Sequence, residues 1–175
     1  MLDILYKRRS IRKYKAAKLD PATVRQLLQA ALLSPSSKGF QSWQFVVVED
    51  PEILEQLALA KKTAGFLKGA ALGIVVLADP ETSDVWVEDT AIASTMLHLT
   101  AAALGLGSCW IQIRKRQHTE TESCEEYVRR ILGIPENLKV LSIISIGYPD
   151  QSKPPYSESD LKFDKVSLNK YGSKF

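Results

Sequence analysis

The densest group of chemically active side chains lies near the start of the chain. Residues 7–15, KRRSIRKYK, place six basic side chains in nine positions with no acidic residue among them. Because the whole chain carries a net charge of only +3, the remaining residues sum to −3. Guanidinium and ammonium groups at this density are typical of an anion-binding segment, and the anion could be a nucleic acid, a membrane surface or a small phosphate. A run of charge is also often only a solvated face, which fits Lys13 and Lys15 in particular.

A second segment, SPSSKGFQSWQF at residues 34–45, could serve the same ligand. It is a long irregular link of small and polar residues between a predicted helix and a predicted strand. Small residues let a ligand approach the backbone closely, and free N–H and hydroxyl groups can hydrogen-bond to it. Taken alone, the segment fits a plain surface loop slightly better.

Other motifs are weaker. GLGSCW at 105–110 lacks the third glycine of a dinucleotide fingerprint, and it follows a helix and precedes a strand, which is the reverse of the required order. His98 and His118 have no ligand-like neighbours, so no metal site is expected, and Cys109 is interpreted as a small buried hydrophobe. No nucleophile, base and orienting group occur together, but an enzyme that uses a flavin needs no such set, since the cofactor carries the redox centre.

Length and composition predict one globular domain. The chain has 175 residues, of which 45% are hydrophobic and 25% charged. Two cysteines, Cys109 and Cys124, in no CxxC pattern suit a reducing cytoplasm. Early charges at Asp3 and from Lys7 onward argue against a signal peptide. The longest apolar stretch, residues 85–106, is interrupted by charged residues and is interpreted as a buried helix rather than a membrane span.

Helices and strands alternate along the chain. Hydrophobic periodicity and Asp-Pro starts at residues 20 and 50 define the helices, whereas runs of β-branched residues define the strands. Helices are predicted over residues 20–33, 50–60, 84–104 and 120–132, and strands over 43–50, 71–79, 107–113 and 138–149. This alternation indicates a three-layer α/β arrangement. The last 26 residues are polar, but the spacing of Leu161, Phe163, Val166 and Leu168 indicates docking, for which a neighbouring subunit is one candidate surface.

Four stretches in order resemble the FMN-dependent nitroreductase family. They are the Arg-x-Ser-x-Arg pattern at residues 8–12, PSSKGFQSW at 35–43, AALGLGSCWI at 102–111 and IGYP at 146–149. The resemblance implies an α/β (α+β) fold, a three-layer sandwich in which a mixed central sheet is flanked by helices. It also implies a homodimer with FMN at the interface, in which residues 1–150 form the FMN-binding domain and residues 151–175 wrap the partner subunit.

The resemblance also implies roles for individual residues. Arg8, Arg9 and Ser10 would bind the phosphate and ribityl chain, and Arg12 would lie at the pyrimidine end of the flavin. The segment 35–41 would come from the other subunit and border the ring, and 110–112 would run near the reactive N5. The full implied cofactor set is Arg8, Arg9, Ser10, Arg12, Pro35, Ser36, Ser37, Gly39, Gln41, Trp110, Ile111 and Gln112. Gly39 stands where the family usually has Asn, and Lys153 is the available substitute for the family's C-terminal arginines.

The expected function is therefore a flavin oxidoreductase. NADH or NADPH would deliver hydride to flavin N5 and leave, and a nitroaromatic, a quinone or a similar acceptor would follow in the same site. One alternative is a flavin-binding sensor without turnover. Another is a small nucleic-acid-binding protein that uses residues 7–15 as a basic arm, but this run is short and has only Tyr6 and Tyr14 as nearby aromatics. The chain is expected to bind neither nucleic acid nor membrane.

Overall fold

A single sheet forms the centre of the protein in the computed structural model, which describes all 175 residues. Its strands are β1 (Trp43–Val48), β2 (Leu72–Ala78), β3 (Gly107–Gln112) and β4 (Lys139–Gly147). They lie in the order β1-β2-β4-β3, and each neighbouring pair is antiparallel. A parallel contact occurs at the edge, where Ser10 bridges to Ser108 of β3. β2 is buried along its whole length and β4 along nearly all of it, which explains their continuous apolar sequences.

The chain forms five helices, four of which pack on the sheet. The five helices are α1 (Leu2–Lys7), α2 (Pro21–Leu32), α3 (Pro51–Ala58), α4 (Trp86–Ala103) and α5 (Cys124–Leu132). The two Asp-Pro starts are confirmed, since Asp20 and Asp50 each accept backbone N–H bonds from the first turn of their helix. α1 was not predicted, and α5 begins later than predicted, because a capping box between Ser123 and Glu126 sets the start of that helix. None of the helices combines the length and apolar character needed to cross a bilayer.

The core lies in two layers, one on each face of the sheet. The larger cluster has 19 buried residues and packs α3 and α5 against one face. The smaller has 11 and packs α2 and α4 against the other. The three-layer α+β sandwich is thus confirmed. α4 was expected to be covered on all sides, but in one chain part of it stays open, with Ile92 39% and the adjoining Leu104 38% exposed.

The basic segment is built into the edge of the sheet. The Ile11 N–H donates to the Ser108 carbonyl at 2.9 Å. The Tyr14 hydroxyl lies 2.7 Å from the Ile11 carbonyl and 2.7 Å from the Ser145 hydroxyl. At Gly107 a Cβ atom would lie 2.6 Å from Ile11 Cγ2, so only glycine allows this close approach. The segment is therefore a fixed edge element rather than a loose arm.

Residues 151–175 extend over the outside of the domain and are nearly all exposed. They form short 3₁₀ turns at Glu158–Asp160 and Phe163–Lys165. The Tyr156 N–H donates to the Tyr6 carbonyl at 2.9 Å, which ties the beginning of this segment to α1. Most of its apolar side chains, including Phe163 and Phe175, face solvent in the single chain.

Candidate functional site

A cavity of about 250 Å³ opens where the basic segment, the start of β3 and the residues after β4 meet. Its basic side chains come from both ends of the chain. They are Lys7, Arg8, Arg9 and Lys153. We call this space the phosphate-end cavity because clustered cations beside exposed backbone fit a phosphate group.

The four cations are not equivalent. The Arg9 Nη1 group donates to the Pro154 carbonyl, and its guanidinium lies 4.5 Å from the centre of the Tyr156 ring. Arg9 therefore holds the C-terminal segment against α1. Arg8 and Lys153 have no carboxylate within 4.0 Å, since both ion pairs of the chain involve Glu122. Lys7 is likewise unpaired, so Lys7, Arg8 and Lys153 are the cavity cations available to an anion.

A buried histidine lies beneath the phosphate-end cavity. His98 of α4 is 8% exposed, and its Nδ1 lies 2.7 Å from the Ser108 hydroxyl oxygen. The ring also stacks on Trp110, with centroids 6.3 Å apart. Burial, with a smaller effect of the Arg8 charge, lowers the His98 pKa to about 4. The ring is therefore neutral at neutral pH and is a satisfied core histidine.

A second cavity, of about 140 Å³, lies at the other end of the basic segment. We call it the ring-end cavity. It is lined by Arg12, Lys61, Thr63, Phe66, Trp110 and Ile111. The Arg12 guanidinium lies 5.7 Å from the centre of the Phe66 ring, and the indole of Trp110 donates to the Gln112 side chain at 2.9 Å. The structure thus brings Arg12 together with Trp110 and Ile111, while the Gln112 side chain supports Trp110 instead of lining the cavity.

Sequence reasoning missed the contribution of residues 61–66 to the ring-end cavity. These residues follow α3 and carry Lys61 and Phe66, far along the chain from Arg12. A signal was present in the basic pair Lys61-Lys62, which stands before the small residues Thr63, Ala64 and Gly65. The sequence gives no reason to place this pair beside β3, because the packing of α3 against α5 brings it there.

Cys109 lies under the same edge of the sheet. Its side chain is buried, and burial raises the pKa of the thiol, with the nearby Arg12 charge opposing that rise. The thiol is therefore protonated at neutral pH. This agrees with its interpretation as a small buried hydrophobe rather than a nucleophile.

The loop at residues 34–42 is held by one buried carboxylate, Asp89 of α4, which is 2% exposed. Asp89 accepts the Ser37 N–H at 2.8 Å and the hydroxyls of Ser42 at 3.2 Å and Ser83 at 3.0 Å. Within the loop, three residues adopt left-handed backbone angles, with φ of 51° at Lys38, 71° at Gly39 and 50° at Gln41. Such angles are uncommon outside glycine, so the loop is shaped by its surroundings rather than by local preference.

This loop lies apart from both cavities within one chain. None of the predicted loop residues lines the phosphate-end or the ring-end cavity. Those residues are Pro35, Ser36, Ser37, Gly39 and Gln41. A single subunit therefore assembles the part of the predicted site that comes from residues 8–12 and β3, and leaves the loop outside both cavities.

Comparisons with known proteins identify the family. The Nitroreductase family model matches residues 5–65 and 56–148 of the chain. The chain belongs to the nitroreductase family. The match includes the basic segment, the loop at 34–42 and all four strands. It ends at residue 148, before Lys153.

Relatives of this nitroreductase-family chain align over nearly its whole length. A putative NADH dehydrogenase/NAD(P)H nitroreductase from Archaeoglobus fulgidus is 38% identical over 176 residues, which cover 97% of this chain and 98% of the relative. The structure of an FMN-dependent nitroreductase from Clostridium difficile R20291 superposes with a TM-score of 0.96 and 46% identity, over 98% of this chain and 100% of that one. The NADPH:FMN oxidoreductase from Vibrio harveyi, in complex with NAD+, superposes with a TM-score of 0.83 and 26% identity, over 98% of this chain and 78% of that one.

Proposed function

We propose that this protein is an FMN-dependent oxidoreductase that uses NADH or NADPH as reductant. The observation that carries the proposal is the pair of cation-lined cavities at the two ends of the fixed segment Arg8–Arg12. FMN is itself a molecule with an anionic phosphate at one end and a flat ring at the other. The descriptions of the family relatives, which name FMN and NAD(P)H, support the same cofactor and reductant.

The residues present fit the phosphate of FMN. Arg8 and Lys153 are unpaired cations in one cavity, and a guanidinium can donate two parallel hydrogen bonds to phosphate oxygens. Ser10, which bridges to Ser108 of β3, adds a hydroxyl group within the segment Arg8–Arg12. Arg9 supports the cavity indirectly, because it fixes the chain just after Lys153.

The residues at the ring-end cavity fit the flavin ring. When bound, FMN supplies a redox centre that accepts a hydride from NAD(P)H and passes electrons to a second substrate such as a nitroaromatic or a quinone. Arg12 would hold a positive charge where negative charge gathers on the reduced ring, and Lys61 adds a second cation. Trp110 and Ile111 would exclude water from one side. No side chain is needed as an acid or base, because solvent can supply protons, and one site used alternately gives ping-pong kinetics.

The working unit would be a homodimer with the cofactor at the interface. Residues 1–150 form the FMN-binding domain in this proposal, and residues 151–175 wrap the partner. Three features support it. The loop at 34–42 lines neither cavity of its own chain, α4 has an uncovered side, and the apolar residues of the C-terminal segment are exposed. A partner subunit would use all three. We further propose a cytoplasmic location, since both cysteines are free thiols.

Purified protein tests the proposal directly. We expect it to be yellow with the absorbance band of oxidised flavin, and to bleach when NADH or NADPH is added without oxygen. A colourless protein that takes up no added FMN would refute the proposal. A yellow protein that neither reductant bleaches would support the alternative of a flavin-binding protein without turnover.

A variant tests the assignment of the phosphate. Arg8→Ala with Lys153→Ala removes two charge-assisted contacts, each of which is worth about 1.5–3 kcal/mol, so FMN affinity should fall at least about 100-fold. Titration of apo protein with FMN, followed by flavin fluorescence, measures the loss. Arg25→Ala, which removes an exposed cation of α2, is the control and should bind FMN like the wild type. Equal FMN affinity in the double variant and the control would show that the phosphate lies elsewhere.

A further inference from the structure

Four basic residues share one surface that begins at the ring-end cavity. Two loops carry them, namely the loop after α3 and the loop after β3. The residues are Lys61, Lys62, Lys115 and Arg116. We call them the basic rim. Lys61 itself lines the ring-end cavity, so the rim begins where that cavity opens.

Hydrogen bonds fasten the two loops to each other. Cys124 Sγ donates to the Ala60 carbonyl at 3.0 Å, and the Cys124 N–H donates to the Arg116 carbonyl at 2.9 Å. His118 Nδ1 lies 3.2 Å from the same Ala60 carbonyl. Burial raises the pKa of the Cys124 thiol, while the charges of Lys61 and Arg116 oppose that rise, so both cations lie near one sulfur. The rim is therefore a defined surface rather than two independent loops.

No acidic group neutralises the basic rim. Neither of the two ion pairs in the protein involves a rim residue. The carboxylate of Glu122 is already paired with Arg130, whose Nη2 group donates to its two oxygens at 3.0 Å and 3.3 Å. Glu120 lies on the same loop and has no cation within 4.0 Å. Arg114 is set apart from the rim, since its guanidinium lies 5.5 Å from the centre of the Trp86 ring.

We infer that the basic rim binds the 2′-phosphate of NADPH and makes NADPH the preferred reductant. This inference rests on the proposed function. A nicotinamide that passes hydride to a flavin must lie on the flavin ring, so the remainder of the dinucleotide extends out of the ring-end cavity. NADPH differs from NADH only by a phosphate monoester on the adenosine ribose, and unpaired Lys and Arg side chains are the groups that bind such a dianion. Cations that bound only the diphosphate shared by both nucleotides would not discriminate between them.

Steady-state kinetics with a soluble quinone as acceptor tests the inference. Wild-type kcat/KM should be higher with NADPH than with NADH. Lys115→Gln with Arg116→Gln should lower kcat/KM for NADPH roughly 10- to 100-fold, the range expected for lost charge-assisted hydrogen bonds, with the loss mainly in KM. The value for NADH should change less than about twofold, since its ribose makes no such contact. Arg25→Gln is the matched control and should change neither value.

Competition binding distinguishes recognition of the 2′-phosphate of NADPH from recognition of the phosphates that NADH also carries. Adenosine 2′,5′-bisphosphate should compete with NADPH in the wild type and lose this effect in the double variant, whereas AMP should compete weakly with both proteins. A wild type that uses NADH as well as NADPH, or a double variant that loses both activities in equal proportion, would overturn the inference and leave the proposed function intact. A flavin that neither reductant bleaches would instead refute the oxidoreductase function, and the inference with it.

Discussion

Acid should destabilise this protein through one buried ring. His98 lies against the Ser108 hydroxyl and close to Arg8, and its pKa is lowered to about 4 from the ordinary value of 6.5, chiefly by burial. In the unfolded chain the ring takes up a proton near pH 6.5, whereas in the folded chain it does so only near pH 4. As the pH falls through this window, the unfolded state binds the extra proton and is stabilised relative to the folded state, so the free energy of unfolding falls.

The size of the effect follows from the two pKa values. Each unit of difference is worth about 1.4 kcal/mol, so the full loss of unfolding free energy is about 3 kcal/mol once the pH is below 4. Between pH 7 and pH 5 the expected loss is about 2 kcal/mol, because the unfolded ring is then almost fully protonated and the folded ring is not. Three exposed carboxyl groups have lowered pKa values and lose their charge mainly below this window; they are Asp20, Glu126 and Asp160.

Urea unfolding at pH 7, 6 and 5 measures this loss, at fixed concentrations of protomer and FMN. His98→Asn keeps a polar atom near the Ser108 hydroxyl but cannot titrate, so it should lower stability at pH 7 and flatten the pH dependence from 7 to 5. The comparison depends on the slope and not on the absolute stability of the variant. Equal slopes in the wild type and His98→Asn would show that the ring is not held neutral by the fold.

Three further substitutions test other parts of the site. Gly107→Ala should cost about 1–3 kcal/mol of stability and weaken FMN binding, because its Cβ would overlap Ile11, and Ile11→Ala in the same chain should restore part of both in urea unfolding and FMN titration. Asp89→Ala should cost about 2–4 kcal/mol, since it leaves the Ser37 N–H without its partner, and an unchanged urea midpoint would contradict this. Gly39→Asn should fold normally, because asparagine tolerates a φ of 71° and no atom lies within 4 Å of the new Cβ, and FMN titration should show tighter binding.

Local signals explain which parts of the fold could be predicted. The Asp-Pro pairs at residues 20 and 50 determine helix starts within one turn, and the apolar runs of β2 and β4 match their burial. The start of α5 at Cys124 could also have been predicted from the sequence, since Ser123 and Glu126 have the spacing of a capping box. α1 was not predicted because none of its six residues is buried, so its sequence shows no apolar stripe.

The site was predictable only where it is local in sequence. Arg8 and Arg12 stand on a short segment whose pattern is recognisable, and the structure places them at two cavities. Lys61 and Asp89 were missed because their roles depend on packing between distant elements. A buried carboxylate such as Asp89 resembles an ordinary acidic residue in the first turn of a helix until the loop at 34–42 is seen to close on it.

α4 connects the two halves of the proposed site. Asp89 near its start fixes the loop at 34–42, and His98 lies beneath the phosphate-end cavity. The two residues are nine positions apart, which is about 13.5 Å along a straight helix. In the proposed homodimer this loop would serve the cofactor of the partner, while the cavity serves the cofactor of the same chain. A rigid helix of 18 residues would thus hold a fixed distance between the two cofactor sites, and a shift of α4 at one site would also displace the residues that it positions at the other.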